Sequence, residues 1–269
     1  MSREQERGLD VLLRSFEGQV SSLEVETDTD EERFYTTICR LNIQVYNFFK
    51  AHDPVSRDCL SRIMTTSCAI VDYLQSLGQK LSSLGTVPTQ MLFGLMLAST
   101  SLLRILKGPA MDGLDIEKAK TSFFAAIQLS RQMSVDQHDT AAMLATIMNQ
   151  LWNSTRAFRR SDNGEYTALR IRSRLAASIV IDVVWWWREE FDPQCRQTAS
   201  LQGTTSDGAT YSRDNLGTLA SAPNGLMDKQ GPVHFDDQFI ADFEWALGDD
   251  GMFSSTEPFD LAWQSSGAA

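Results

Sequence analysis

The stretch 165–191, EYTALRIRSRLAASIVIDVVWWWREEF, constrains the fold more than any other part of the chain. It opens with arginines at alternate positions, Arg170, Arg172 and Arg174, and then runs from Leu175 to Trp187 with only Ser178 and Asp182 interrupting its apolar character. Neither proline nor glycine occurs in it, so the sequence predicts a helix. A helix that is apolar around its whole circumference has to be buried on most sides rather than along one stripe. The thirteen residues of that apolar run are fewer than the roughly 20 a bilayer crossing needs. The expectation is a buried central helix over 165–191, with its basic end left near water and the rest of the chain arranged to cover it.

The preceding 164 residues read as a series of helices. Over 2–25, Ser2 and Gln5 can form a capping box, and Leu9, Leu12, Leu13, Phe16, Val20 and Leu23 recur at helical spacing. Thr29 and Glu32 repeat the capping signal ahead of Phe34, Ile38, Leu41, Val45 and Phe48, a narrow seam that permits a homodimer and serves equally as internal packing. Asp53-Pro54 marks the start of a third helix reaching about Ser83, with Gly85 as a stop. Further helices are expected over 88–107, ending at Gly108-Pro109, over 114–133 and over 139–158. No segment before residue 192 alternates with period two. The reading is an all-α domain over 1–192.

Beyond Asp192-Pro193 the composition changes. Residues 193–233, rich in Gly, Ser, Thr, Asn and Gln, read as a flexible linker, because they carry too little apolar surface to offset the cost of ordering. Residues 234–269 then place Phe235, Phe239, Phe243, Trp245, Phe253, Phe259 and Trp263 among aspartates and glutamates. Of the net charge of −11, residues 195–269 hold −8, eleven acidic residues against three basic ones. Acidic spacing keeps such a segment hydrated and its aromatics available to a partner's groove, which is the compositional mark of a disordered activation segment. A solubilising tail, or one that folds back on the body, is the alternative.

Several functions are disfavoured. An acidic chain lacks the clustered excess of Lys and Arg that specific DNA binding requires. Cys39, Cys59, Cys68 and Cys195 show no metal-ligand spacing, so they read as reduced thiols with no metal site. The polar N-terminus is not a secretory signal, and no membrane span is expected. With three histidines and no nucleophile, phosphate-loop or metalloprotease motif, no catalytic residue is proposed and the chain is not expected to be an enzyme. The basic residues near the last predicted turn, above all Arg159, Arg160, Arg170 and Arg174, are either a solvated helix end or a site for a small anionic effector. On a helix Arg170 and Arg174 would share a face. Asp182 is expected to pair with an arginine or a helix-end donor, since a lone buried carboxylate is costly. The three tryptophans Trp185, Trp186 and Trp187 span too wide an arc for all to be buried.

The run LRIRSRLAASIVIDVVWWWREEF, preceded by SFFAAIQLSRQMSV and QLWNSTRAFRR, resembles fungal transcription factors of the binuclear zinc-cluster (Zn(II)2Cys6) type, in the branch that includes the regulator of leucine biosynthesis. The resemblance is strongest over 100–191; over 1–99 only helical character matches. It implies a nuclear protein whose helical regulatory region restrains or exposes an acidic activation segment that contacts coactivators, in some members in response to a metabolite. The family's six closely spaced cysteines are absent, so no zinc and no other cofactor is expected in this chain. It is then either part of a longer factor or a separate product without the DNA-binding module. A stand-alone helical small-molecule binding protein with no transcriptional role is the competing reading.

Overall fold

The computed structural model describes residues 2–50, 55–109, 113–159, 164 and 166–191. They form seven α-helices: α1 (Arg3–Val25), α2 (Asp30–Gln44), α3 (Arg57–Lys80), α4 (Thr89–Lys107), α5 (Ile116–Met133), α6 (Thr140–Asn153) and α7 (Ser178–Phe191). Short 3₁₀ turns, Val45–Phe49 and Leu175–Ala177, follow α2 and precede α7. No strand occurs among the described residues, and the fold is all-α as expected. The linker and the acidic aromatic segment lie outside the described residues.

Local chemistry accounts for most helix ends. At α1 the Ser2 N–H donates to Gln5 Oε1 at 2.7 Å and the Gln5 N–H returns to Ser2 Oγ at 3.3 Å. At α2 the Glu32 N–H donates to Thr29 Oγ1 at 3.1 Å while Glu32 Oε2 accepts from the Thr29 N–H at 2.9 Å. Both predicted capping boxes are therefore formed, each satisfying donors that a helix start leaves without partners. The Asp53-Pro54 start for α3 falls outside the described residues; the cap observed is Ser56, whose Oγ accepts from the Cys59 N–H. Gly108 closes α4. Helix α3 stops at Lys80, before Gly85, and α6 stops at Asn153 rather than 158.

Helix α4 occupies the middle, and α7 packs against α4 and α6. Helix α4 packs against α2, α3, α5, α6 and α7. It is long and apolar enough to cross a membrane, yet 78% of its apolar window is buried inside the bundle, so its apolarity is accounted for by core packing. Leu95, Leu102 and Leu103 are fully buried, each contributing about 1.5–3 kcal/mol through removal of its side chain from water. Helix α2 approaches α4 where Gly94 leaves room: a Cβ there would stand 2.6 Å from Ile38 Cδ1. The α2 seam residues Phe34, Leu41, Val45 and Phe48 are buried against the chain's own helices.

Two expectations are corrected. The helix predicted over 165–191 is helical only from Ser178, and the residues 166–174 that carry the arginines form an irregular segment. The apolar stripe predicted on α1 divides. Leu13 and Val20 face the core, while Leu12, Phe16 and Leu23 remain about half exposed. Leu12 and Phe16 line, with Leu9, Ile43, Tyr46 and Leu175, an open apolar groove of about 480 Å³.

Candidate functional site

The arginine-rich lead into α7 is organised by one buried ion pair. Arg104 projects from α4 and Asp182 from α7, at 1% and 0% exposure, with Nη1 to Oδ2 at 2.7 Å. The other guanidinium nitrogen donates to the Thr167 carbonyl at 2.8 Å. The second carboxylate oxygen of Asp182 accepts from the Arg170 N–H at 2.8 Å and the Ile171 N–H at 3.3 Å. The Arg104 guanidinium also lies 4.9 Å from the Phe158 ring centre and 5.5 Å from that of Tyr166. Tyr166 donates its hydroxyl to the Arg104 carbonyl at 3.1 Å, and burial pushes its phenol up from the ordinary value. Each charge is therefore met by its partner and by backbone groups of the 167–171 segment, as two ions in a dry interior require.

This pair explains why 166–174 is not helical. Helical geometry would commit the N–H groups of residues 170 and 171 to carbonyls four residues back. Asp182 takes them instead. Phe158, buried completely, sits at φ 61°, a conformation strained for a bulky residue, and its carbonyl accepts the Thr167 N–H at 2.8 Å. Beyond the pair, burial pushes the Lys107 ammonium down from its ordinary value. Its Nζ donates to the carbonyls of Trp152 and Ser154, satisfying orphan acceptors at the end of α6.

The residues expected to form an anion site have separate engagements. Arg170 stacks on Trp186, 4.1 Å from the ring centre, and donates to both oxygens of Glu189 at 2.8 and 3.0 Å. The Arg159 side chain donates to the Gly164 carbonyl at 3.2 Å. The Arg174 N–H donates to Ser178 Oγ at 3.0 Å, and the Arg172 Nε–H donates to the Leu169 carbonyl at 2.9 Å. Arg160 lies outside the described residues. The helical face that Arg170 and Arg174 were to share does not exist, because that segment is not helical.

Asp182 has the arginine partner expected of it. That partner is Arg104, which stands apart in sequence from the basic cluster at 156–174. The available signal was symmetric: Arg104 is flanked by leucines and isoleucine in the apolar sequence of α4, and Asp182 is the one charge within the apolar run of α7. Trp185 is 45% exposed, while Trp186 and Trp187 are buried. Cys39, Cys59 and Cys68 are free thiols, of which Cys68 alone is fully buried, and burial pushes its thiol up. Among the described residues no group of three or more His, Cys, Asp or Glu could hold a metal ion.

A second concavity lies away from this knot. A polar pocket of about 430 Å³ opens between α1, the 3₁₀ turn after α2 and the start of α3. Arg3, Arg7 and Arg14 line it. So do two ion pairs, Lys50–Asp10 at 2.5 Å and Arg62–Glu17 at 2.6 Å. The candidate activation residues Phe235, Phe239, Phe243, Trp245, Phe253, Phe259 and Trp263 lie outside the described residues. No protein-family model, no curated protein and no solved structure matches the chain.

Proposed function

We propose that the chain is the regulatory and activation portion of a nuclear transcription factor, with its helical domain controlling exposure of the acidic segment 234–269. The observation that carries this reading is the division of labour along the chain. Helices α1 to α7 close around a core of their own. Over 234–269, seven large aromatics stand among aspartates and glutamates. The likeness of 100–191 to the zinc-cluster regulators supports the same reading. Phe239, Phe243 and Trp245 are the contacts offered to coactivators, by ordering on a partner's apolar groove. A small anionic metabolite governs their release.

The test is a reporter driven by residues 192–269 fused to a heterologous DNA-binding domain, beside the same fusion of the whole chain. The tail alone is expected to activate strongly and the whole chain weakly. Replacing Phe239, Phe243 and Trp245 by alanine is expected to reduce the tail's activation to background. A silent tail at confirmed expression, or full activation by the triple variant, overturns the proposal and favours the stand-alone binding protein.

A further inference from the structure

We infer that the polar pocket between α1, the 3₁₀ turn Val45–Phe49 and the start of α3 binds a small anion carrying at least two carboxylate or phosphate groups, held by Arg3, Arg7 and Arg14. The inference rests on the three arginines sharing one face of α1. At 100° per residue, Arg7 and Arg14 lie within about 40° of Arg3 around the axis, and at 1.5 Å per residue the column spans about 16 Å. Long side chains on such a column can converge on one ligand or grip its two ends.

The charges in the pocket are unevenly committed. The wall carries five cations, Arg3, Arg7, Arg14, Lys50 and Arg62, against three carboxylates: Asp10, held by Lys50, Glu17, held by Arg62, and the buried Glu6. Arg3, Arg7 and Arg14 form no ion pair with any described residue, although all three are exposed along the pocket wall. Arg3 and Arg7 are like-charged neighbours at i, i+4, while Asp10 lies between Arg7 and Arg14 on the same face. The two-charge excess of cations in the wall is what an anion with two charged groups would balance while accepting from the guanidinium forks. The N-terminus of α3, capped by Ser56 at the pocket edge, adds the positive end of a helix dipole. The volume, about 430 Å³, suits a metabolite-sized ligand. A single carboxylate would use one fork and leave the others unrelieved, so the site selects for ligands with two or more anionic groups.

The inference names a site for the effector that the functional reading invokes, but its test is independent of transcription. The purified full chain is titrated calorimetrically with citrate and, separately, with pyrophosphate, each against sodium chloride at matched ionic strength. Saturable binding of at least one probe is expected. Arg7→Ala with Arg14→Ala should weaken it by roughly tenfold or more while circular dichroism stays unchanged. Arg156→Ala, exposed and outside the pocket, should leave it as in the parent. Tighter binding of citrate assigns the site to polycarboxylates and tighter binding of pyrophosphate to phosphates. No saturable heat from either probe, or equal affinity in the double arginine variant, overturns the site. A silent reporter would leave this result standing, and failed binding would leave activation by the tail standing.

Discussion

Arg104 and the α1 arginines make opposite uses of the same side chain. Arg104 is 1% exposed, with Asp182, the Thr167 carbonyl and two aromatic rings around its guanidinium. Arg3, Arg7 and Arg14 stand exposed at a polar pocket with no ion-pair partner among the described residues. The difference follows from what else each helix carries. Helix α4 is apolar on nearly every side, so its one arginine is carried into the core and must find a counter-charge. Helix α1 buries only Glu6, Leu13 and Val20 and is otherwise tied to the bundle by ion pairs through Asp10, Glu17 and Glu24, so most of its circumference holds charge at the surface. An arginine's availability to a ligand is thus set by the helix that bears it and not by how many basic residues lie nearby in sequence.

The largest expected effect would test the first half of this contrast. Asp182→Ala leaves Arg104 charged and buried without its carboxylate, and breaking such a pair typically costs about 3–5 kcal/mol, a large share of a domain's usual stability of about 5–15 kcal/mol. Urea unfolding should show that loss. Arg104→Met combined with Asp182→Leu should recover only part of it: the apolar pair removes both desolvation penalties, but it leaves the Arg170 and Ile171 N–H groups and the Thr167 carbonyl without their partners. Arg7→Ala with Arg14→Ala should change stability by less than about 0.5 kcal/mol, as expected of exposed side chains without contacts. A loss below about 1 kcal/mol for Asp182→Ala would mean that water reaches Arg104, and the contrast would fail.

The same contrast decides what was readable in the sequence. Helix positions, the Ser2 and Thr29 capping boxes and the Gly108 stop depend on neighbours within a few residues, and local patterning was enough to find them. The buried helix ending in three tryptophans was found too, with one tryptophan exposed as its angular spread required. The irregular lead-in at 166–174 was missed, because the carboxylate that captures the Arg170 and Ile171 N–H groups is eleven or twelve residues further on. Its partner Arg104 is 78 residues away from Asp182. Helical periodicity cannot register contacts at that separation. The α1 pocket was not anticipated from the sequence: Arg3, Arg7 and Arg14 are spread among acidic residues of α1, and only the tertiary structure shows Asp10 and Glu17 held by cations of other elements.

Glycines offer a smaller and sharper comparison of the two regions. At Gly94 in α4 an added Cβ would stand 2.6 and 2.9 Å from the Cδ1 and Cγ1 of Ile38, in the contact that seats α2 on α4. Gly94→Ala should therefore destabilise by about 1–3 kcal/mol, the usual range for overpacking a close-packed site. At Gly18 in α1 nothing lies within 4 Å of the added atom. Gly18→Ala should stabilise by about 0.5–1 kcal/mol, since alanine gains helix propensity without a clash. Opposite signs in thermal unfolding would support a closed α4 and an open α1. A destabilising Gly18→Ala would show that the outer face of α1 is covered in solution.

The smallest effect concerns how α1 is attached. Glu24 accepts from Arg40 of α2 at 2.6 Å, with both side chains partly exposed, and this hydrogen bond holds the Glu24 carboxyl below its ordinary value of 4.5. A lowered carboxylate contributes stability above its unfolded-state value and loses it as pH falls through the lower folded one. Glu24→Gln should accordingly destabilise at neutral pH by no more than about 0.2–1 kcal/mol, the range for exposed ion pairs. The difference from the parent should shrink as the pH is taken below about 4.5. It should shrink as well in 1 M salt, where the screening length is about 3 Å. The loss caused by Asp182→Ala should persist in that salt, because ions do not enter a site at 0% exposure. If the Glu24→Gln difference proved as salt-resistant as that of Asp182→Ala, then the α1–α2 contact would be closed to solvent as well, and the two regions would differ in burial by less than their arginines indicate.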